Sequence, residues 1–298
     1  MHPSRRSTVA TLLALAMPPA LAQPAQPARP LKVVASFSIL ADLVREVGGA
    51  AVEVVALVGP NADAHVFEPS PADARRLASA DLVVVNGLGF EGWMDRLVRA
   101  SGHGGPITVA SAGVATRRLD RGPDPHAWQD LANTQRYVVN LRDALSRARP
   151  ALAAEFGQRA AQYNQRLQEL DRDVRARFDA VPRSQRRVIT SHDAFGYFAA
   201  AYGIQFLAPQ GVSTDSEASA AAVARLIDQV RRHDVRAVFV ENISDPRLVE
   251  RIAREGGAAV GGRLYSDALS PPGTEADTYL KFFAHNARTI ASALLGPR

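Results

Sequence analysis

The chain has 298 residues, of which 47% are hydrophobic and 22% are charged, and its formal net charge at pH 7 is +5. This length is sufficient for two compact domains, and the composition is typical of a globular protein. The small positive charge is spread over helical segments rather than clustered with aromatic residues, which argues against a nucleic-acid-binding protein.

The first 22 residues are organised like a secretory signal peptide. Arg5 and Arg6 precede a short apolar run, and Ala20 and Ala22 form a small-x-small cleavage pattern. The paired arginines faintly resemble a twin-arginine signal, but Thr8 stands where a large apolar residue is usual, so we expect the general secretory route. Residues 23–30 are rich in Pro, Ala and Gln and are predicted to form a disordered spacer.

The chain contains no Cys, which predicts that it has neither a disulfide nor a lipid-modified cysteine at the end of the signal. We therefore expect an unanchored protein in the periplasm of a bacterium with two membranes. Beyond the signal, no stretch approaches the ~20 apolar residues that a membrane-spanning helix requires.

Short β-branched runs alternate with helical patterns in two parts of the chain. In the first part, strands are predicted at 31–39, 52–58, 81–88 and 107–110, and helices at 40–47, 71–80 and 92–100. In the second part, strands are predicted at 187–191, 205–208, 235–241 and 258–265, and helices at 195–202, 218–233 and 245–255. Such alternation indicates parallel sheets flanked by helices. Because it occurs twice, we predict an α/β fold with two parallel-sheet lobes, 31–150 and 181–298.

A single long helix is predicted between the lobes, at 151–180. Apolar residues recur every three or four positions from Leu152 to Phe178 and form one stripe. At 1.5 Å per residue, this helix is about 40 Å long. Pro150 marks its start and Pro182 follows its end. We expect this packed helix to join the lobes and to restrain their relative motion.

Three histidines and one aspartate follow strands in equivalent ways. His65 lies in the loop after the second predicted strand and His126 in the loop after the fourth, while His192 and Asp267 directly follow strands of the second lobe. Open α/β sheets bind ligands at this carboxyl edge. Two residues come from each lobe, so we expect all four to converge in the cleft. Structural or surface roles are expected for the other histidines: His103, His233 and His285.

Three imidazoles and one carboxylate make a complete set of four ligands for a divalent transition-metal ion. Imidazole suits Zn²⁺, Cu²⁺ and Ni²⁺, whereas additional oxygen ligands favour Mn²⁺. A single histidine after a strand is usually a loop or core residue, and Asp267 alone would serve as a helix N-cap. The joint placement of the four residues is what indicates a metal site. Candidates to orient the ligands are three acidic residues: Glu68, Asp193 and Glu241.

At these residues the sequence resembles the zinc/manganese solute-binding proteins of bacterial ABC transporters, the class with two lobes joined by one long helix. The resemblance covers about residues 31–295. Its motifs include Asp63-Ala64-His65, Asp124-Pro125-His126-Ala127-Trp128, Ser191-His192-Asp193-Ala194-Phe195 and Leu264-Tyr265-Ser266-Asp267. It implies that His65, His126, His192 and Asp267 bind the metal. It also implies a separate membrane permease as partner and no enzymatic activity.

The third ligand position distinguishes metals within this family. Members of the manganese type commonly have Glu where this chain has His192, so the resemblance implies zinc. Many zinc-type members also have a His- and acid-rich loop near the second ligand, but residues 112–125 contain no His. Capture of manganese or iron therefore remains an alternative. We predict a monomer that captures Zn²⁺ with high affinity in the periplasm and delivers it to an ABC importer.

Three functions of other classes are alternatives to metal capture, and one of them, an adhesin-like surface protein, is disfavoured because the chain has no cysteine for a lipid anchor. A zinc-dependent hydrolase needs an open coordination position and a general base, and four protein ligands would leave no position for water. A binder of chelated iron or haem would present Arg and aromatic groups rather than converging histidines. Metal capture and the zinc hydrolase make opposite predictions for Asp267. A capture protein uses this residue as the fourth ligand, and the hydrolase becomes the better hypothesis if Asp267 does not bind the metal.

Overall fold

The computed structural model describes residues 29–119, 122–233 and 235–296. The predicted signal peptide, 1–22, lies outside the described residues, as does most of the predicted spacer. Of the spacer, Arg29 and Pro30 are described, and the Arg29 guanidinium lies 2.7 Å from the carboxylate of Asp81. Within the described residues, no helix is long and apolar enough to cross a membrane.

The first lobe is a four-stranded parallel sheet with the strand order β2-β1-β3-β4. Its strands are β1 (Leu31–Phe37), β2 (Val52–Val58), β3 (Leu82–Val85) and β4 (Ile107–Val109). Its helices are α1 (Ser38–Gly48), α2 (Pro71–Ala78) and α3 (Met94–Ser101). The central strands β1 and β3 are buried along nearly their whole length, as their runs of Val predict. Helix α2 begins at a capping box in which Ser70 and Asp73 bond each other's backbone N–H groups.

The first lobe continues with a short hairpin and a long helix, and a second long helix joins it to the second lobe. Strands β5 (Arg118–Leu119) and β6 (Gly122–Pro123) pair in antiparallel fashion. Helix α4 spans Leu131–Ala148 and packs along helix α5, which spans Ala153–Asp179. Only α5 was predicted, and its observed bounds lie within two residues of the prediction. Helix α4 is an addition to the predicted architecture.

The second lobe repeats this arrangement with the strand order β10-β9-β7-β8, again all parallel. Its strands are β7 (Arg187–Ile189), β8 (Gln205–Leu207), β9 (Ala237–Glu241) and β10 (Ala259–Leu264). Its helices are α6 (Gly196–Tyr202), α7 (Ala220–His233), α8 (Arg247–Gly256) and α9 (Tyr279–Leu295). In both sheets the first strand of the lobe lies between the second and the third. The predicted α/β fold with two parallel-sheet lobes and a long joining helix is confirmed.

A continuous hydrophobic core connects the two lobes through α5 and α9. The stripe predicted on α5 includes Phe156, Leu167 and Phe178, which are all buried. Phe178 packs edge-on against Phe198 of α6, with ring centroids 5.8 Å apart. A second, smaller cluster lies between the outer face of the second sheet and the helices α7 and α8. The lobes therefore share packed side chains in addition to the helix that joins them.

Candidate metal centre

The structure brings the four predicted residues together at the interface between the lobes. One ligand atom from each of His65, His126, His192 and Asp267 lies within 4.8 Å of the other three. Oδ2 of Asp267 is 3.1 Å from Nε2 of His65 and 3.2 Å from Nε2 of His192. Oδ1 of Asp267 is 3.6 Å from Nε2 of His126. The three imidazoles therefore face one carboxylate.

The centre is buried, and several of its polar atoms are unsatisfied. The side chains of His126, His192 and Asp267 are 0% exposed, and that of His65 is 4% exposed. Nε2 of His192 and both carboxylate oxygens of Asp267 have no aligned hydrogen-bond partner among the described residues. Leaving a buried polar atom without a partner costs about 1–3 kcal/mol. A divalent cation bound between these atoms would satisfy all of them, so the donor set fits such an ion.

His192 is positioned by the pairing of β7 with β9. The residue lies in the turn just after β7, and Glu241 is the last residue of the neighbouring β9. Oε1 of Glu241 accepts a hydrogen bond from the backbone N–H of His192 at 2.9 Å. Oε2 lies 2.6 Å from Nδ1 of the ring. Because Nδ1 faces this carboxylate, Nε2 is left for the centre.

His126 is held in the same way by Asp124, which precedes it by two residues. Oδ1 of Asp124 accepts a bond from the backbone N–H of His126 at 3.0 Å and lies 2.9 Å from its Nδ1. The other carboxylate oxygen of Asp124 accepts a hydrogen bond from Nη1 of Arg117. Tyr197, on α6 of the second lobe, donates to the backbone carbonyl of Asp124 at 3.0 Å. The support of this ligand thus includes a residue from each lobe.

His65 is the least constrained of the three imidazoles. Its backbone N–H donates to Oδ1 of Asp63 at 2.9 Å, which fixes the turn. Its ring packs edge-on against Phe90, with centroids 4.8 Å apart. Within the described part of the chain, no carboxylate is hydrogen-bonded to Nδ1 of His65. The orientation of its ring therefore depends on packing and on the backbone rather than on an acidic partner.

Asp267 is placed by contacts between its neighbour Ser266 and the first lobe. The backbone carbonyl of Ser266 accepts hydrogen bonds from Nε1 of Trp128 at 2.9 Å and from Nε2 of Gln129 at 2.8 Å. Trp128 also packs against Phe90, with ring centroids 4.8 Å apart. The loop that carries the only carboxylate of the predicted ligand set is therefore fixed by the opposite lobe.

The charges of the centre depend on one another. Burial alone would raise the pKa of Asp267, but His192 and His126 hold it well below its usual range. Burial alone would lower the pKa of His192, but Glu241 and Asp267 raise it well above its usual range. In the absence of a metal, Asp267 is thus ionised and His192 holds a proton that a metal ion would displace.

The three predicted orienting acids differ in their positions. Glu241 contacts His192 directly. Asp193 is half-buried, with its backbone N–H bonded to the carbonyl of Gly211, and Glu68 is exposed. Asp124, which was not among the three, contacts His126. The sequence signal for Asp124 was that an aspartate precedes each of His65 and His126 by two residues, which by itself is a weak pattern.

Two of the three excluded histidines have contacts outside the centre. His103 is half-buried and its backbone N–H donates to Oγ of Ser101 at 3.2 Å. Nε2 of His285 lies 3.0 Å from the carbonyl of Arg263. His233 is the last residue of α7. Among the described residues, the group that could hold a metal ion is the predicted one.

The chain is similar to known metal-binding proteins over most of its length. The family model described as ZnuA, zinc-uptake complex component A, periplasmic, matches residues 33–293. The chain is 33% identical over 266 residues to the manganese-binding lipoprotein MntA of Halalkalibacterium halodurans, covering 89% of this chain and 88% of that one. It is 30% identical over 291 residues to the iron-binding protein YfeA of Yersinia pestis, covering 95% and 93%. The solved structure of the periplasmic zinc-binding protein TroA from Treponema pallidum is similar, with a TM-score of 0.86 and 32% identity over 89% of this chain and 99% of that one.

Proposed function

Because the chain belongs to the ZnuA family of periplasmic zinc-uptake components, we propose that it captures Zn²⁺ and presents the ion to a membrane importer. Proteins of this family and fold bind the substrate of metal ABC transporters and are not enzymes. Capture of a metal ion for ABC import is therefore the function of the chain, and a zinc hydrolase is excluded. Our proposal concerns the choice of zinc and the four residues that bind it.

One observation carries the proposal: three imidazole Nε2 atoms converge on a buried carboxylate whose oxygens lack hydrogen-bond partners. Zn²⁺ in closed sites takes four ligands, and neutral imidazole is among its preferred donors. Mn²⁺ prefers more oxygen ligands and a higher coordination number. With only one acidic residue, Asp267, among the four ligands, the set favours zinc.

Manganese is the second candidate, and one geometric observation favours it. Both oxygens of Asp267 face histidines and lack other partners, so a bidentate carboxylate would raise the number of donor atoms to five. The similarity to a relative named for manganese points the same way. Only one side chain would still supply oxygen, which is why we place zinc first.

We further propose that residues 1–22 direct the chain to the periplasm, where it acts as a monomer and docks on a separate permease. The ZnuA family is described as the periplasmic component of a zinc-uptake complex, which implies a separate membrane-spanning partner. The contribution of each lobe to the site supports a monomer, because two ligands come from each and none is required from a second copy.

The test is a metal competition experiment on protein purified without an affinity tag. We expect co-purified zinc, and a lower dissociation constant for Zn²⁺ than for Mn²⁺ when each displaces a chromogenic chelator. A higher affinity for Mn²⁺ would overturn the choice of zinc. If neither ion binds tightly or raises the melting temperature, zinc and manganese are both excluded as the captured ion. A rise in melting temperature is expected because a ligand at a thousandfold excess over its Kd stabilises the folded protein by about 4 kcal/mol.

Ligand variants test the four residues separately. His65→Ala, His126→Ala or His192→Ala should weaken zinc binding by more than the 10- to 100-fold typical of outer partners. Asp267→Ala should weaken it less, since three imidazoles remain. His103→Ala serves as the control, because this histidine lies outside the centre. Unchanged affinity in any variant would remove that residue from the set.

A further inference from the structure

A loop of the second lobe, residues 208–219, reaches the turn of the first lobe that carries His65. Oγ1 of Thr214 donates a hydrogen bond to Oδ2 of Asp63 at 2.5 Å. The other oxygen of the same carboxylate accepts the backbone N–H of His65 at 2.9 Å. One carboxylate therefore connects a hydroxyl of the second lobe to a ligand turn of the first.

The same loop is also bonded to the turn that carries His192. The backbone N–H of Asp193 donates to the carbonyl of Gly211 at 3.1 Å, and that of Gln210 donates to the carbonyl of Ser191 at 3.4 Å. Loop 208–219 thus contacts two ligand turns, one from each lobe. Its contact with the His192 turn lies within its own lobe, whereas the bond from Thr214 crosses between lobes.

The position of His65 depends strongly on this bond between the lobes, because its ring lacks the carboxylate partner that each of the other two histidines has. The rings of His126 and His192 each lie against a carboxylate, on Asp124 and Glu241 respectively. The described residues provide no such partner for His65, whose side chain is also the only one of the three with measurable exposure. Its position is therefore set largely by the turn that Asp63 holds.

A cavity of about 550 Å³ lies beside this contact, lined in part by Asp63, Ser191, Gln210 and Thr214. It is large enough to hold many waters. If the bond from Thr214 breaks, Oδ2 of Asp63 is left to solvent in this cavity, and among the described contacts the carboxylate keeps only its bond from the backbone N–H of His65. The turn bearing His65 then loses the bond to the second lobe that lies nearest to the ligand, while the bonds of Asn61 to Leu269 and Asn242 remain. His65 is therefore the ligand that can withdraw first.

We propose that Thr214 is a positioning residue that, through Asp63, keeps His65 on the bound metal and so sets the rate at which the ion leaves. This inference rests on the proposed function. The bond spans the two lobes, so it forms when the site closes and does not act on the first encounter with the ion. Its loss should therefore raise the dissociation rate and leave the association rate unchanged.

The experiment measures zinc release into excess chelator by stopped flow for the wild type and three variants. Thr214→Val removes the hydroxyl and keeps the shape, so release should be about tenfold faster, as expected for a lost hydrogen bond to a charged group. Thr214→Ser restores the hydroxyl and should release zinc at nearly the wild-type rate. Thr289→Val, the same change on helix α9, should have no effect.

Two results would overturn the inference: release from Thr214→Val at the wild-type rate, or equally fast release from Thr214→Ser. A purely structural role would instead lower the melting temperature of the metal-free protein, which we expect to be unchanged. If Thr214→Val does not fold, Asp63→Asn replaces it, because an amide keeps an oxygen for His65 but presents a donor to Thr214. Failure of the wild type to bind zinc would contradict the proposed function instead, and this is measured first.

Discussion

Glu241 contacts His192 with both of its carboxylate oxygens, one on the backbone N–H at 2.9 Å and one beside ring Nδ1 at 2.6 Å. Both side chains are fully buried. The pair fixes the backbone and the ring of His192 together. The charge of the carboxylate also makes the imidazole a stronger electron donor to a metal ion at Nε2.

Removing this carboxylate should therefore weaken metal binding without touching a ligand. For Glu241→Ala we expect a 10- to 100-fold rise in the Kd for zinc, the range typical of such outer contacts. Glu241→Gln keeps an acceptor for the backbone N–H, so its effect should be smaller. Isothermal titration calorimetry measures both. Glu68→Ala, which removes an exposed acid, is the control, and equal affinity of Glu241→Ala and this control would contradict the assigned role.

Metal selectivity should respond to the residue at position 192. Glu in place of His192 adds an oxygen donor and a negative charge, which favours Mn²⁺ over Zn²⁺. The new carboxylate would lie against Glu241, and two buried like charges repel strongly. We therefore expect the double variant His192→Glu/Glu241→Gln to narrow the ratio of Zn²⁺ to Mn²⁺ affinity more than His192→Glu alone. Parallel titrations decide this, and an unchanged or wider ratio would show that cleft geometry sets the choice.

Zinc binding should release a proton from His192. The pKa of this residue lies well above its ordinary value of 6.5 in the metal-free protein, so the ring is protonated at neutral pH. The metal needs the neutral ring, and zinc affinity should therefore fall as pH decreases. Calorimetry in buffers of different ionisation enthalpy should report about one proton released at neutral pH. No dependence on buffer would contradict this.

The shifted pKa values of His192 and Asp267 also affect the stability of the metal-free protein. Because the folded pKa of His192 is raised, its contribution to stability is fully present below pH 6.5 and is lost as pH rises through the raised value. The pKa of Asp267 is lowered, so its contribution is present above 3.8 and is lost only in strong acid. Zinc should thus raise the melting temperature more at pH 8 than at pH 6. An equal rise at both values would argue against a protonated His192.

Gly196 and Arg117 form a coupled pair beside His126. A Cβ atom on Gly196 would lie 1.3 Å from Nη1 of Arg117, so Gly196→Ala must displace the guanidinium from Asp124. We expect Gly196→Ala and Arg117→Gln each to weaken zinc binding several-fold. The double variant should be little worse than either single one, because both changes break the same contact. Additive effects in this cycle would show that the two residues act independently.

Asp42 provides a prediction on stability alone. It is buried on α1, where its Oδ2 accepts the backbone N–H of Tyr279 at 2.8 Å, and burial raises its pKa from 3.8 to about 6. The ionised carboxylate therefore destabilises the fold at pH 7, by up to about 3 kcal/mol. Asp42→Asn should raise the free energy of unfolding in urea by an amount approaching this. The gain should vanish below pH 3.8, where the wild-type carboxyl is protonated in both states.

The control for Asp42 is Asp95→Asn, which changes an exposed carboxylate. We expect this variant to unfold at the wild-type urea concentration at both pH values. A gain in stability for Asp42→Asn that persists unchanged in acid would show that the effect does not arise from the ionised carboxylate.

The sequence predicted best the elements whose pattern is set by one buried face. Strand β2 has the predicted bounds, and the apolar stripe located α5 to within two residues at each end. Helix α4 was not predicted, although Leu131, Val138 and Leu141 are buried at helical spacing. Polar residues such as Thr134 and Asn140 interrupt the apolar stripe of α4. They are held there by tertiary hydrogen bonds to Tyr279 and to the carbonyl of Ala110, which local patterns do not reveal.

The convergence of the four ligands was predictable because parallel strands place their carboxyl ends at one edge. The choice among the orienting acids was not. Glu241 supports His192 because β9 pairs with β7, although the two residues lie 49 positions apart. Asp193 is the immediate neighbour of His192 and bonds elsewhere. Adjacency in a sheet, rather than in sequence, determines which acid reaches the ring.

The length of α5 has a consequence for how the protein exchanges its ion. The helix is continuous over 27 residues and its buried stripe belongs to a core shared by both lobes. Helices of this kind curve gently, with radii of ~60–100 Å, and sharp kinks require features such as Pro. The interior of α5 contains no Pro. Helix α5 should therefore bend only slightly. Most of the conformational change that opens the metal site must occur in the short turns that carry the ligands.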